Sequence, residues 1–195
     1  MGIEFELKYR ADAGKCRALL EAYPGNWQQI TMETTYYDTP AGELAAKRCT
    51  LRRRSENGKS VCTVKTPGEN GVRGEWETEC GDIREAVEIL CKLGGPEELL
   101  SSRDGLVPVC GARFIRQCRV FSQESCTVEL AADNGVLLGG GQEVPLCEIE
   151  VELKSGSPEA AVAFARKLAA RFGLQEEKKS KFRRALDLTL GEENG

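Results

Sequence analysis

Acidic side chains alternate with apolar ones near the start of the chain, in the stretch IEFELKYR at residues 3–10. A β-strand turns successive side chains to opposite faces, so Glu4, Glu6 and Lys8 share one face. The stretch CEIEVELK at residues 147–154 repeats the pattern, with Glu148, Glu150 and Glu152 on one parity. Carboxylates set so close together repel one another unless a cation lies between them, and Mg²⁺ and Mn²⁺ prefer such oxygen ligands.

Basic side chains follow the same rule in other segments. Arg52 and Arg54 share a parity in the stretch TLRRR, and Lys65 and Arg116 lie in further stretches that resemble strands. Arginine can form paired hydrogen bonds to phosphate oxygens. These cations, together with the carboxylates, predict a site for a polyanion and a divalent metal.

Two architectures can explain the alternation. For any single segment, the favoured interpretation is an antiparallel sheet with one solvated face. Taken jointly, the basic strands and the acidic strands favour a closed barrel whose charged lumen faces water and whose apolar outside is covered by helices. About eight strands can close in this way and still hold a small ligand.

Composition restricts the function further. The chain has 195 residues, is 41% hydrophobic and 30% charged, and carries a net charge of −4, which is a poor match for nucleic acid. No apolar stretch approaches the roughly 20 residues that span a bilayer. Histidine is absent and the nine cysteines lack zinc-site spacing, so we expect free thiols, no zinc and a cytoplasmic location.

The pattern of apolar residues and turns predicts one α+β domain over residues 1–190, followed by a disordered tail at 191–195. Helices are expected at about 13–23, 82–93 and 158–172, with a short segment at Ser180–Leu188. Asn57-Gly58 predicts a hairpin turn, and Asn134-Gly135 and Gly139-Gly140-Gly141 predict further turns. Residues 94–111 are expected to be mainly loop. Strands are expected at 2–10, 31–38, 50–54, 61–66, 72–80, 113–121, 126–131 and 146–153.

At these residues the sequence resembles the CYTH family, also called triphosphate tunnel metalloenzymes. The family signature ExExK is present as Glu4-Phe5-Glu6-Leu7-Lys8. The resemblance continues in the family's order through YYDTP (36–40), LRRR (51–54), TVKTP (63–67), RGEWE (73–77), FIRQCR (114–119), VELAADNG (128–135), CEIEVELKSG (147–156) and SKFRRAL (180–186). It looks closest to the bacterial inorganic triphosphatases, and it implies a closed eight-stranded antiparallel tunnel that binds a triphosphate and a divalent metal.

The resemblance also implies roles for individual residues. It places the metal, Mg²⁺ or Mn²⁺, at Glu4, Glu6 and Glu150, with Glu152 on the same face and Asp133 near a second ion. It places the phosphates at Lys8, Arg52, Arg54, Lys65, Arg73, Arg116, Lys181 and Arg184. Glu75 and Glu129 would orient these cations, as would Asp133. Glu4, Lys8 and Glu148 are the residues expected to take part in catalysis, with Glu4 or Glu148 accepting a proton from the attacking water.

The expected reaction is the metal-dependent hydrolysis of inorganic triphosphate to pyrophosphate and phosphate. The alternatives are an adenylate cyclase of the same family, a thiamine or nucleoside triphosphatase, and a polyphosphate binder without turnover. The expected partner is the small-molecule triphosphate, and neither nucleic acid nor a membrane is expected to bind. A homodimer is the candidate oligomeric state.

Overall fold

The computed structural model describes residues 2–68 and 73–191, apart from the side chains of residues 2–4 and 73. Nearly all of the expected tail, residues 192–195, lies outside the described residues. The strands are β1 (Gly2–Glu4), β2 (Glu6–Arg10), β3 (Gln28–Asp38), β4 (Thr50–Glu56), β5 (Lys59–Thr66), β6 (Arg73–Glu79), β7 (Val107–Ser122), β8 (Cys126–Gly139), β9 (Gln142–Gly156) and β10 (Gln175–Glu176). The α-helices are α1 (Ala13–Ala22), α2 (Glu43–Ala46), α3 (Ile83–Lys92), α4 (Leu99–Ser102), α5 (Pro158–Phe172) and α6 (Lys181–Thr189).

All the described strands belong to one antiparallel sheet. Its order is β1-β6-β5-β4-β3-β7-β8-β9-β2-β10, which gives ten strand segments, or nine if β1 and β2 are counted as one strand interrupted at Phe5. The expected α+β architecture is confirmed. A closed eight-stranded barrel is not confirmed, because the strands are more numerous and no ladder between the described strands closes the order into a ring.

The register places the alternating charges on one face of the sheet, called here the inner face. Glu6 lies opposite Glu152, Lys8 opposite Glu150 and Arg10 opposite Glu148. Towards the other end of the strand order, Lys65 of β5 lies opposite Glu75 of β6. Neighbouring residues in a ladder point to the same face, so the parity seen in single segments extends across the sheet.

Helices cover the opposite, outer face of the sheet. Leu19 of α1 and Leu168 of α5 belong to a buried cluster with Ile149 of β9. Leu90 of α3 belongs to a second cluster with Val64 of β5. Each side chain in these clusters is removed from water. Full burial of a large apolar side chain stabilises the folded state by roughly 1.5–3 kcal/mol.

The last helix, α6, differs from the others because it packs on the inner face. Ala185 is buried against Ala112 and Phe114, which lie on the same parity of β7 as Arg116. A Cβ atom on Gly139 would collide with the backbone oxygen of Ala185, so this turn requires glycine for the close approach of the helix. The helix therefore covers one end of the inner face.

Local signals predicted most element boundaries. Asn57 and Gly58 form the expected turn, with φ of 50° and 88°. The expected helix at 158–172 is confirmed: the Ser157 side chain accepts a hydrogen bond from the Ala160 N–H, and Gly173 ends the helix with φ of 58°.

Three further expectations were wrong. The strands expected at 113–121, 126–131 and 146–153 are longer, at Val107–Ser122, Cys126–Gly139 and Gln142–Gly156. Residues 94–111 include α4 and the beginning of β7 as well as loop. Asn134 and Gly135 lie inside β8, because Gly135 permits an approach to Phe114 that a Cβ atom would block. All nine cysteines are free of disulfides. Among the described residues, none of the helices has the length and hydropathy needed to cross a membrane.

Candidate active site on the inner face

A cavity of about 710 Å³ lies against the inner face. Strands β2 to β9 and the start of α6 all contribute side chains to its wall. The cations among them are Lys8, Arg52, Arg54, Lys65, Arg116, Lys154 and Lys181. The carboxylates are Glu6, Glu56, Glu75, Glu77, Glu129, Glu150 and Glu152.

One wall, formed by β4 and β5, carries Arg52, Arg54 and Lys65. Lys65 Nζ lies 3.4 Å and Arg52 Nη2 lies 3.9 Å from the same oxygen, Glu75 Oε1. A single carboxylate oxygen thus lies near two cations, and both N···O distances are longer than those of a typical hydrogen bond. Arg54 Nη1 donates to Glu56 Oε1 at 3.1 Å.

The two arginines on this wall retain hydrogen-bonding capacity. Among the described side chains, the Nε atoms of Arg52 and Arg54 are buried without a hydrogen-bond partner. Burial, together with the nearby charges of Arg52 and Arg116, lowers the pKa of Arg54 to about 10. A buried cation with incomplete compensation attracts an anion strongly, because leaving its charge and its N–H groups unpaired is costly.

A second wall of the cavity carries a row of carboxylates. Glu6 of β2, Glu152 of β9 and Glu129 of β8 follow one another across three neighbouring strands. Lys8 Nζ donates to Glu6 Oε1 at 3.1 Å, and Lys154 Nζ lies 2.9 Å from Glu152 Oε1. These oxygens at the cavity wall are the kind of donor set that suits Mg²⁺ or Mn²⁺.

A second group of acids, formed by Asp133, Glu148 and Glu150, lies deeper. One oxygen of each lies within 4.8 Å of the others, close enough to share a cation. Lys181 of α6 supplies that cation: its Nζ lies 2.7 Å from both Asp133 Oδ2 and Glu150 Oε1, and it also contacts Glu148. Arg116 donates two hydrogen bonds to Asp133, both at 2.8 Å, and a third to Glu150.

The charges in this second group are strongly coupled. Burial disfavours the charged form of Lys181 and acts to lower its pKa. The negative charges of Asp133, Glu150 and Glu148 outweigh this effect, so the pKa of Lys181 is raised. Burial likewise opposes ionisation of Glu150, yet Lys181 and Arg116 hold the pKa of Glu150 well below its usual value. Burial raises the pKa of Glu148 to about 7, against the attraction of Lys181.

The structure brings most of the residues expected at the site to one face. Glu148 and Arg184 bond to each other at the α6 end, and Glu148 is fully buried. The side chains of Glu4 and Arg73 lie outside the described residues, but their backbones pair in the ladder between β1 and β6. Arg119, which is off the parity of Arg116, donates to the carbonyl oxygens of Tyr23 and Pro24 instead.

Sequence reasoning missed Glu177. Its side chain is only 3% exposed and bonds to Arg10, and Arg184 Nη1 lies 3.9 Å from it. In the sequence it precedes a run of lysines and arginines, which is typical of a solvated surface. The acidic pair Glu176-Glu177 beside that basic run was the one available signal.

The fold and the charged cavity define a recognisable class of protein. The model of the CYTH domain matches residues 2–186, and the chain belongs to this family. An inorganic triphosphatase from Haemophilus influenzae is 33% identical over 134 residues, which are 67% of this chain and 38% of that relative. The aligned part thus spans well under half of the relative's length.

Solved structures share the fold over nearly the whole chain. A proposed adenylyl cyclase from Hippeastrum, which shows a dominant triphosphatase activity, has a TM-score of 0.68 and 20% identity, with 97% of each chain covered. A proposed adenylate cyclase from Bacillus halodurans has a TM-score of 0.64 and 20% identity, with 94% of this chain and 98% of that one covered. At such identities the likeness concerns the fold alone.

Proposed function

We propose that this protein hydrolyses inorganic triphosphate to pyrophosphate and phosphate with the help of a divalent metal. The observation that carries the proposal is the pair of buried, unpartnered Nε atoms on Arg52 and Arg54. A compact polyanion in the cavity would compensate both buried guanidinium charges at once, and arginine matches phosphate geometry well. The triphosphatase among the relatives agrees with this assignment.

We further propose that the sheet acts as a tunnel. β1 pairs with β6 at one end of the strand order, and β2 pairs with β9 near the other. Because only Phe5 separates β1 from β2, the segment 2–10 links both ends of the sheet covalently. This continuity brings the basic wall and the acidic wall to face one another around the cavity.

The carboxylates at the cavity wall fit a divalent metal. Glu6 and Glu152 are direct neighbours in the ladder, and Glu4 precedes Glu6 on the same parity. We assign the metal to these three residues, with Glu150 adjoining. Asp133 already accepts two hydrogen bonds from Arg116 and contacts Lys181, so a second ion there would have to displace an ammonium group. When bound, the metal would neutralise negative charge on the phosphate oxygens.

The chain's own residues would position the substrate. The phosphates would be bound from one wall by Arg52, Arg54 and Lys65. From the other wall they would be bound by Lys8, Arg116 and Lys181. Arg73 would add a further cation by its place in β6. Glu75 orients Lys65 and Arg52, and Glu129 orients Lys154. Positioning and electrostatic stabilisation supply most of the catalysis in phosphoryl transfer.

The proton of the attacking water passes to a carboxylate on the β1–β2 segment, for which we propose Glu4. Glu148 has a pKa suited to a general base, but it is fully buried and bonded to both Lys181 and Arg184. We therefore propose that Glu148 positions these two cations. Arg184 contacts Glu148 and does not line the cavity, so we propose that it holds Glu148 in place and does not bind phosphate itself.

A phosphate-release panel tests the function. The purified protein is incubated with triphosphate, ATP, thiamine triphosphate and pyrophosphate, each with Mg²⁺ or Mn²⁺, and cyclic AMP is assayed in the ATP reactions. We expect triphosphate to be the best substrate. Cyclic AMP as the main product would favour the cyclase alternative, and tight triphosphate binding without phosphate release under any metal would favour a binding protein.

A further inference from the structure

The start of α6 lies at one end of the cavity. Lys181 and Phe182 line the cavity there, and the Phe182 ring lies 5.1 Å from the ring of Tyr36. Tyr36 is the register partner of Arg52, so the Arg52 end of β4 is the end next to α6. A phosphate chain held by Arg52 and Arg54 can therefore grow longer only in the direction away from this helix.

In that direction the inner face changes sign. The inward positions of β4 run from Arg52 and Arg54 to Glu56. The inward positions Glu75, Glu77 and Glu79 of β6 are all acidic, and across β5 Glu77 is level with Arg52 and Glu79 with Arg54. A second cavity of about 550 Å³ opens beside the β4–β5 turn, lined by Glu56, Glu77, Glu79 and Lys59 among others. Glu56 and Glu77 border both cavities, so they lie where the two meet.

We infer that Glu56 and Glu77 determine the length of the phosphate chain that the site accepts, and favour three phosphates over four or more. This inference rests on the proposed function. Arg54, which Glu56 contacts at 3.1 Å, is the last inward cation of β4. A fourth phosphate would bring further negative charge against Glu56 and Glu77, with Lys59 as the nearest inward cation of the adjoining strand. Like charges a few ångströms apart reduce affinity by roughly three- to tenfold, even in water.

The test compares linear triphosphate with linear tetraphosphate. For the wild type, Glu56→Gln, Glu77→Gln and the double variant, kcat/KM is measured for both chains, and dissociation constants are measured by calorimetry. We expect the tetraphosphate-to-triphosphate ratio to rise about threefold or more in each single variant and further in the double variant. High salt should reduce the wild type's discrimination, because screening weakens the repulsion.

The matched control is Glu33→Gln, which removes the same charge from the exposed, outward side of β3 and should leave the ratio unchanged. Circular dichroism checks that each variant is folded. A wild type that hydrolyses triphosphate, combined with an unchanged ratio in the double variant, overturns the inference and leaves the proposed function standing. A wild type without hydrolysis refutes the proposed function, and the ratio of dissociation constants then decides the inference by itself.

Discussion

Glu177 and Arg10 are hydrogen-bonded between the two ends of the chain: Arg10 Nε donates to Glu177 Oε2 at 2.6 Å. The Glu177 backbone N–H donates to the Lys8 carbonyl oxygen at 2.8 Å, and Glu177 Oε1 accepts from the Lys179 N–H at 2.9 Å. One residue thus attaches the segment before α6 to β2. Since α6 carries Lys181 and β2 carries Lys8, Glu177 connects the two elements that carry these cations of the site.

Replacing Glu177 by alanine should lower both stability and activity. The Arg10 side chain is 63% exposed, so the loss of that ion pair by itself costs little. The larger cost comes from leaving the Lys179 N–H without its acceptor, and we expect a total of about 1–3 kcal/mol in the free energy of unfolding. Urea titration and triphosphate hydrolysis measure the two effects. Glu176→Ala, an exposed neighbour, is the control, and equal results for both variants would contradict this role.

Glu177 should also make stability depend on pH. Burial acts to raise the pKa of Glu177, but the hydrogen bonds from Arg10 and the Lys179 N–H outweigh it and lower that pKa. A carboxyl whose pKa is lower in the folded protein stabilises the fold above its unfolded pKa, and this stabilisation is lost as pH falls. The difference in unfolding free energy between wild type and Glu177→Gln should therefore shrink below about pH 4.5. A difference that stays constant down to acid pH would exclude this explanation.

The inner face could be predicted from the sequence because strand alternation is a local property. Glu6 and Glu152 follow the parity of their own segments, and no long-range information is needed to place them on one face. The same holds for Arg52 and Arg54. Family resemblance added Lys181, whose position in a basic run would otherwise indicate a solvated end.

Other features depended on contacts between distant segments. Glu177 is buried because the two-residue strand β10 pairs with β2, and so short a strand has no periodicity to detect. Gly135 looks like a turn residue, yet it serves a close contact between β8 and β7. The pairing of Lys181 with Asp133, Glu148 and Glu150 required the register of two strands and the position of a helix, none of which one segment specifies.

Arg54 should show a trade-off between stability and activity. Because burial and the neighbouring Arg52 and Arg116 disfavour its charge, Arg54→Met should leave the free energy of unfolding unchanged or raise it by about 1 kcal/mol. The same change should reduce kcat/KM for triphosphate by about a hundredfold or more, since a buried phosphate contact is lost. Arg53→Met, on the outer parity, is the control and should retain activity. A variant of Arg54 that loses stability but keeps its activity would refute the assignment.

Metal binding should depend on Glu6 and Glu152. Chelation of divalent ions should abolish triphosphate hydrolysis, and added Mg²⁺ or Mn²⁺ should restore it. Glu6→Gln and Glu152→Gln should each weaken Mn²⁺ binding about tenfold or more, which titration by electron paramagnetic resonance can measure without substrate. Glu143→Gln, an exposed position on the same strand as Glu152, is the control. Unchanged Mn²⁺ affinity in both site variants would place the metal elsewhere.

Lys181 should be the most sensitive position for folding. Lys181→Met removes the ammonium group that contacts Asp133, Glu148 and Glu150, and leaves three buried carboxylates with too little positive charge. We expect a loss of about 3–5 kcal/mol in the free energy of unfolding, because an uncompensated buried charge is costly. Adding Glu148→Gln should recover part of this loss, since it removes one of the repelling charges, and the double-mutant cycle gives the coupling energy. Lys178→Met, at an exposed position, should change stability by less than about 0.5 kcal/mol. If the Lys181 and Lys178 variants unfold at the same urea concentration, the ammonium group does not hold these acids together.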